Sequence, residues 1–389
     1  MNIKKVGAKI ILDSRGKKTI QVFIQTDKGK FVTSSPSGKS TGKFEVKSYG
    51  KSLKGDVNFI NKLDTSKLYI ERFEDLKKVE RVVGKNLGGN SLFVLEASLL
   101  KALSKDLGME LYQFLGLGNK IRKIIRPVGN SIGGGLHSKG VYGKKPDFQE
   151  FLFIAHGKSF TENVKINKLA YNEAGKILKA RKRNDEGAWE TGESNEFILD
   201  VMKRVRNIIN NKYNKKIDIG LDVASSGFFK KTYNYKNPKR KFSSEEQLYY
   251  LLDIVEKIDV LYIEDGFNET DFSSFRKLLV ESGKMIVGDD LTTTNPKRLK
   301  KAIEKKSINA IIVKPNQIGS LLKVKEVIEI CKENKIKTII SHRSGETLDD
   351  TIADLAVGWN VDFIKTGIYG KFRESKLKRL IKIEKKLRK

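Results

Sequence analysis

The feature that most constrains the fold is a series of six short apolar runs in the second part of the chain. They cover residues 217–222, 260–264, 285–289, 310–314, 338–342 and 362–365, and each ends on a charged or polar residue. The runs recur about every 25 to 40 residues with helical segments between them, which is typical of βα units. In a parallel barrel, functional side chains gather at the carboxyl ends of the strands. We therefore predict an α/β fold with a parallel sheet or barrel and a site at that rim.

The first part of the chain has a different pattern. Residues 20–24 are typical of a strand between two turn sequences, and residues 57–115 are typical of a helical region. Strands followed by helices indicate an α+β domain rather than further βα units. Because the pattern changes after about residue 121, we predict an α+β N-terminal capping domain over residues 1–121 and a barrel domain over residues 122–389.

The composition limits the class of protein and its partners. A nucleic-acid partner would explain the formal net charge of +30, but the basic residues are spread over helices and not clustered with aromatic residues. This pattern favours a lysine-rich solvated surface. No run approaches the ~20 apolar residues of a membrane-spanning helix, and the first residues lack the apolar core of a signal peptide. We therefore expect a cytoplasmic protein with no membrane or nucleic-acid partner, in which the single cysteine, Cys331, is a buried thiol.

Three of the six runs end on carboxylates. Asp222, Glu264 and Asp289 follow buried runs on successive predicted strands. At one rim of a barrel they would repel one another unless a cation lay between them. Hard oxygen ligands in this number suit Mg²⁺, which keeps waters and takes substrate oxygens as its other ligands. One acidic strand end alone is more often a helix cap, but three in succession predict a metal site.

The other three runs end on basic residues, Lys314, His342 and Lys365. Cations do not help to hold a metal, but they would bind an anionic substrate, and one lysine could act as a base. A lysine near a divalent cation and a second lysine has a lowered pKa, because like charge disfavours protonation. Such a lysine can abstract a proton at neutral pH. Taken alone, each residue could form a surface salt bridge, but residues that end strands of a parallel barrel point into the pocket.

Seven short motifs, in one order along the chain, are similar to motifs of the enolase family. They lie at residues 11–16, 37–42, 286–292, 294–296, 314–320, 341–347 and 364–367. Through them the chain resembles the enolase family along nearly its whole length. The resemblance implies a modified (β/α)8 TIM barrel capped by an α+β domain. It also implies a lyase of glycolysis and gluconeogenesis that reversibly dehydrates 2-phospho-D-glycerate to phosphoenolpyruvate.

The resemblance implies roles for the base and the metal ligands. Lys314 would remove the C2 proton of the substrate. The first of two Mg²⁺ ions would bind the substrate carboxylate, and the second would arrive with the substrate and bind its phosphate and Ser40. Together the ions would stabilise the carbanion. The residues that would hold the first ion are Asp222, Glu264 and Asp289.

The resemblance also implies a general acid. Glu186 would protonate the departing C3 hydroxyl, with Glu150 and His137 beside it. Neither glutamate ends an obvious strand, so both assignments depend on the resemblance. His137 follows three consecutive glycines, which is consistent with a loop that closes over substrate.

The remaining implied contacts are with the substrate's charged groups. Arg343 and Ser344 would bind phosphate, because the arginine fork fits its oxygens, while His342 and Lys365 would neutralise carboxylate and substrate charge. The phosphate contacts favour an enolase over a lyase of the same superfamily that acts on another carboxylic acid. A non-catalytic binding protein with a basic surface is the other alternative, and the presence of base, acid and metal ligands argues against it.

Several positions depart from the family pattern. Residues 184–189 read Asn-Asp-Glu-Gly-Ala-Trp where the family has Gly-Asp-Glu-Gly-Gly-Phe. Gln21 stands where the family commonly has a glutamate, and residues 367–374 lack the Arg-Ser-Glu-Arg sequence whose arginine pairs with it. None of these changes removes a residue that the mechanism needs. We therefore expect a divergent member, in which any homo-oligomer would use altered contacts.

Overall fold

The structure is a computed structural model, and it describes residues 1–39, 42–118 and 125–388. Three antiparallel strands come first: β1 (Ile3–Leu12), β2 (Lys18–Thr26) and β3 (Gly29–Ser34). Ile20, Val22 and Ile24 of β2 are fully buried, because alternate side chains of a strand point to the same face. That face packs on the third of four helices, α1 (Leu53–Asn61), α2 (Leu76–Val83), α3 (Gly89–Asp106) and α4 (Leu111–Leu115).

The predicted α+β arrangement of the first part is therefore confirmed. The predicted boundary between residues 121 and 122 lies outside the described residues and stays a prediction.

The second part contains a closed barrel. Its eight strands are β4 (Arg126–Gly133), β5 (Glu150–Ala155), β7 (Ile217–Asp222), β11 (Val260–Glu264), β12 (Met285–Gly288), β13 (Ala310–Val313), β14 (Lys337–Ser341) and β15 (Phe363–Lys365). A pairing of β15 with β4 closes it. β5 runs antiparallel to β4 and β7, whereas the other barrel pairs are parallel. The six predicted runs coincide with β7 and with β11 to β15, so the predicted modified barrel is confirmed.

Shorter strands lie outside the barrel. β6 (Trp189–Glu190) pairs with β4, and β8 (Phe229–Lys230), β9 (Thr232–Lys236) and β10 (Lys239–Phe242) form a small antiparallel sheet.

Helices surround the barrel: α5 (Phe160–Leu178), α6 (Asn195–Tyr213), α7 (Ser244–Ile258), α8 (Phe272–Ser282), α9 (Pro296–Glu304), α10 (Pro315–Ile318), α11 (Leu321–Glu333), α12 (Thr351–Gly358) and α13 (Lys371–Leu387). Four of them begin after a serine whose hydroxyl accepts a first-turn N–H, which satisfies one otherwise unpaired donor. These serines are Ser159, Ser194, Ser243 and Ser320. Among the described residues, none of the helices combines the length and the apolar character needed to span a membrane.

Apolar side chains fill the barrel interior. Tyr262, Ile312 and Ile339 lie in this inner cluster with no exposed surface, together with side chains from β4, β5, β12, β13 and β15. Packing of this kind leaves no pore through a small parallel barrel. Polar side chains can therefore meet only at a rim of the barrel. The polar residues that end the parallel strands lie at the rim formed by the carboxyl ends of those strands.

A surface ion-pair group joins the two parts of the chain and leads to a pH prediction. Glu110, just before α4, pairs with Arg379 (2.9 Å) and Lys386 (2.6 Å) of α13. These cations lower the pKa of Glu110 to about 2. The ion pairs therefore stabilise the fold above the unfolded-state pKa, and this contribution is lost as pH falls from about 4.5 towards 2.

Solvent screens this exposed group, so we expect Glu110→Gln to lower the free energy of unfolding by about 1 kcal/mol or less at pH 7. Below about pH 2 native protein and variant should unfold equally easily, because Glu110 is then protonated in the folded as well as in the unfolded chain. Urea unfolding at both pH values measures the difference. A difference that stayed constant with pH would show that the effect is not electrostatic.

Candidate active site

A cavity of about 350 Å³ opens at the carboxyl rim of the barrel. Ten of the predicted site residues line it: His137, Glu150, Glu186, Asp222, Asp289, Lys314, His342, Arg343, Ser344 and Lys365. Glu264 lies behind this lining with no exposed surface. Ser40 lies outside the described residues.

Lys365, at the end of β15, lies between three carboxylates. Its Nζ is 2.7 Å from Glu264, 2.9 Å from Asp222 and 3.1 Å from Glu150. The strand register explains this, since Glu264 of β11 and Glu150 of β5 both stand opposite Asp222 of β7. Although burial acts in the other direction, the three carboxylates raise the pKa of Lys365 well above its usual value. The lysine is therefore an ammonium ion at neutral pH.

One ammonium ion does not compensate three buried carboxylates. Burial and the neighbouring charge of Asp222 raise the pKa of Glu264 well above its usual value, against the effect of Lys365. One oxygen of Glu264, Oε1, is buried without a hydrogen-bond partner among the described residues. A buried, unpaired carboxylate oxygen beside a second carboxylate fits a divalent cation.

Asp289, the third predicted ligand, follows β12 on the next strand of the sheet. Its side chain contacts Lys314 Nζ and accepts a hydrogen bond from Gln317 (3.1 Å). Asp289, Asp265 and Asp290 also offer oxygens within 4.8 Å of one another, a second arrangement that could hold an ion. The oxygens of Asp265, however, already accept the backbone N–H groups of residues 289 and 290 (3.0 and 2.7 Å). Asp265 therefore fixes the turn that presents Asp289.

Lys314 follows β13 and is partly buried. Burial lowers the pKa of this lysine, but Asp289 and Glu264 together raise it above the usual value. The sequence interpretation expected a lowered pKa, because it placed a divalent cation beside the lysine. That expectation concerns the metal-loaded site and stays a prediction.

On the other side of the cavity, Glu186 and Glu150 flank His137. His137 Nδ1 is 3.2 Å from Glu186 and 3.7 Å from Glu150. Burial would lower the pKa of His137, but the two carboxylates raise it to about 9. Burial and Glu186 raise the pKa of Glu150 to about 7, against the effect of Lys365. Burial would raise the pKa of Glu186, but His137 lowers it well below its usual value. Near neutral pH the proton of this coupled carboxyl pair is therefore on Glu150 rather than on Glu186.

The loop after β14 carries the predicted phosphate contacts. Arg343 pairs with Glu45 (2.9 Å), and the Ser344 hydroxyl is buried without a hydrogen-bond partner among the described residues. His342 is neutral, because burial and the charge of Arg373 lower its pKa well below the usual value. The sequence interpretation gave His342 a role in charge neutralisation. A neutral imidazole can also donate a hydrogen bond, and the role in charge neutralisation stays a prediction.

Comparison with known proteins identifies the family. The model for "Enolase, N-terminal domain" matches residues 3–115, and the model for "Enolase, C-terminal TIM barrel domain" matches residues 123–389. The enolase of Picrophilus torridus is 36% identical over 99% of each chain. The enolase of Sulfurisphaera tokodaii is 38% identical over 98% of this chain and 95% of its own, and that of Mycoplasma mobile is 33% identical over 99% and 95%. The chain belongs to the enolase family.

Membership in the enolase family confirms the resemblance seen in the sequence. It makes the chain a hydro-lyase and a TIM-barrel protein, and it implies a divalent metal. The two alternatives, a superfamily lyase for another acid and a non-catalytic binding protein, are not favoured by full-length relatives of this kind.

In and next to the acid loop, residues 184–187, the residues that depart from the family pattern make contacts of their own. Asn184, where the enolase family has glycine, accepts the N–H groups of Glu186 (2.9 Å) and Ala188 (3.0 Å) through its side chain. Trp189 stacks on Tyr171 with ring centroids 5.0 Å apart. Tyr171 also stacks on Tyr369, with ring centroids 5.9 Å apart, so the three rings form one aromatic cluster. Two positions that depart from the family pattern, 189 and 369, thus belong to one cluster beneath the acid loop.

Sequence reasoning missed residues that hold the site without ending a strand. Arg373 of α13 contacts His342, Glu45 pairs with Arg343, and Asn130 donates to Glu186 (3.1 Å). Asn130 lies in β4, a barrel strand that the sequence reading did not identify. A buried polar residue in an apolar segment was the available signal for Asn130. Arg373 and Glu45 lie in charged segments whose composition is typical of exposed surface, so the sequence gives no such signal for them.

Proposed function

We propose that this enolase converts 2-phospho-D-glycerate reversibly to phosphoenolpyruvate in the cytoplasm, as a step of glycolysis and gluconeogenesis. The observation that carries the proposal is that a candidate base and a candidate acid line one cavity together with a group of carboxylates. Lys314 contacts Asp289, whereas Glu186 lies beside His137. Lys365 lies between Glu150, Asp222 and Glu264. Removal of a proton and of a hydroxyl from neighbouring carbons needs a base and an acid on two sides of the substrate.

The cation ligands would be Asp222, Glu264 and Asp289, and Ser40 would join a second ion. The unpaired Glu264 oxygen and the uncompensated charge of the carboxylates support this assignment. Mg²⁺ suits this set of oxygen ligands, and two such ions would stabilise the negative charge that develops on the substrate carboxylate. Lys365, whose Nζ lies 2.9 Å from Asp222 and 2.7 Å from Glu264, would neutralise charge on the substrate carboxylate.

The two chemical steps would be divided between Lys314 and Glu186. Lys314, as the free amine, would take the C2 proton and become an ammonium group. Glu186, in its protonated form, would transfer its proton to the C3 hydroxyl, which leaves as water. Glu150, whose pKa is raised to about 7, holds a proton beside Glu186 at neutral pH. The imidazole of His137, with Nδ1 3.2 Å from Glu186 and 3.7 Å from Glu150, would keep both carboxyl groups facing the cavity through its charge.

Arg343 and Ser344 would bind the phosphate group, and His342 would donate a hydrogen bond to the substrate. The unpaired, buried hydroxyl of Ser344 supports this role. Glu45 pairs with Arg343 and would exchange that contact for the phosphate. The excess of basic residues over the whole chain would attract a substrate that carries a phosphate and a carboxylate.

The proposal assigns no membrane or nucleic-acid partner. Its partner is the small phosphorylated substrate, and any homo-oligomer would form without the family's usual glutamate. Gln21, at that position, donates to Ser34 of its own sheet (2.8 Å).

The test is the appearance of phosphoenolpyruvate absorbance when native protein is mixed with 2-phosphoglycerate and Mg²⁺. We expect turnover with Mg²⁺ and none after chelation. Mg²⁺ should also raise the melting temperature of the chelator-treated protein, because a ligand that binds only the folded state stabilises it. In Glu264→Gln this thermal shift should shrink. An inactive native protein would contradict the proposed reaction, and an unchanged shift in Glu264→Gln would contradict the ligand assignment.

A further inference from the structure

One buried arginine outside the predicted site has an unusual set of partners. Arg373 lies in the first turn of α13, and only 2% of its surface is exposed. Its Nη1 is 2.7 Å from His342 Nδ1 and donates to the Arg343 carbonyl at 2.5 Å. Its Nη2 donates to the Ser344 carbonyl at 2.5 Å and to the Asp185 carbonyl at 3.3 Å. All four terminal hydrogens of the guanidinium group thus have an acceptor.

The first contact determines the tautomer of His342. A guanidinium group only donates hydrogen bonds, so His342 Nδ1 must be the acceptor. The ring hydrogen of the neutral imidazole is then on Nε2. His342 Nε2 lies 3.9 Å from Glu186 Oε2, on the cavity side of the ring. The hydrogen-bond donor of His342 therefore faces the place where substrate would lie.

The other three contacts join two segments that are far apart in sequence. Arg343 and Ser344 belong to the loop after β14, which carries the phosphate contacts. Asp185 directly precedes Glu186 in the acid loop. One rigid, planar group thus sets the distance between the phosphate loop and the acid loop. A lysine has a single nitrogen at its tip and cannot reproduce this fork.

We propose that Arg373 is a positioning residue of the active site, which holds His342 as an Nε2–H donor and fixes the acid loop relative to the phosphate loop. The expected effect of Arg373 on turnover rests on the proposed function. The inferred tautomer of His342 does not depend on that function. The two parts can therefore be tested separately.

The first test is kinetic. Arg373→Ala should lower kcat by about 10²-fold, because small displacements of positioned groups cost that much. Arg373→Lys should recover little activity, and added guanidinium should partly restore Arg373→Ala. The matched control is Arg379→Lys on the same helix, whose arginine pairs with Asp354 and Glu110 away from the cavity. Full activity of Arg373→Ala, or full rescue by lysine, would overturn the proposal.

The second test observes the histidine directly. The chain has only three histidines, so ¹⁵N-histidine NMR of the native protein and His342→Gln assigns the His342 signals. We expect a hydrogen on Nε2 and a hydrogen-bonded, unprotonated Nδ1, and a changed Nδ1 signal in Arg373→Ala and Arg373→Lys. A hydrogen on Nδ1, or a signal that Arg373→Lys leaves unchanged, would overturn the tautomer assignment. If the native protein has the Nε2–H form and no turnover, the proposed reaction fails while the assignment stands.

Discussion

Replacement of Lys314 by alanine is expected to lower kcat for phosphoenolpyruvate formation by about 10²- to 10⁴-fold, the usual contribution of a positioned base. The side chain lies at the end of β13, and its Nζ contacts Asp289 in the cavity. Exchange of the substrate's C2 proton with deuterium from solvent should be lost in the same proportion, because both processes begin with removal of that proton. Absorbance measures the first and proton NMR in D2O the second.

Two further variants separate loss of the base from loss of structure. Lys314→Met keeps much of the side-chain volume, so its kcat should fall as far as that of Lys314→Ala. Lys323→Ala removes an exposed lysine in the first turn of α11 and should leave both rates unchanged. If Lys314→Ala kept more than a tenth of the native C2 exchange, another group would have to be the base.

The barrel was accessible from the sequence because its parallel strands repeat one local pattern. Each predicted strand is a short buried run that ends on a functional residue, as in Asp222, Glu264 and Lys365. In a parallel sheet these ends must lie on one rim, so a linear pattern carries three-dimensional information. The predicted grouping of the strand-end residues in one cavity depends on this geometry alone.

β5 shows where that reasoning fails. Glu150 is the first residue of this strand, not the last, so it does not fit the rule that functional residues end a run. Because β5 is antiparallel to its neighbours, its beginning lies at the same rim as their ends, and Glu150 stands opposite Asp222. Reversal of one strand depends on the whole sheet and has no local signal in the residues. Only the family resemblance pointed to Glu150.

Residues that hold the site residues in place were harder still to predict from the sequence. Arg373 and Glu45 act through contacts with residues that are distant in sequence, and nothing in their own segments distinguishes them from the many other charged residues. The acid loop was equally hard to predict, since Asn184 and Trp189 were recognised only as departures from a family pattern. The contact of Asn184 with the loop backbone and that of Trp189 with Tyr171 become visible only when the positions of both partners are known.

Replacement of Glu186 by glutamine should separate the two halves of the reaction. Glutamine keeps the shape and can still accept the hydrogen bond from Asn130, but it has no acidic proton to deliver. We expect dehydration to fall by about 10²- to 10⁴-fold. Exchange of the C2 proton should continue at a substantial rate, because the proposed base Lys314 contacts Asp289 and is left unchanged by the substitution.

Absorbance and proton NMR on one sample of Glu186→Gln measure both rates, and Glu193→Gln, an exposed glutamate in the segment that follows, is the matched control. The ratio of the two rates is the informative quantity, since misfolding or weak substrate binding would lower both together. If exchange and dehydration fell equally while substrate binding was retained, Glu186 would belong with proton removal. In that case Glu150, whose pKa is raised to about 7 and which lies 3.7 Å from His137, would be the better candidate for the acid.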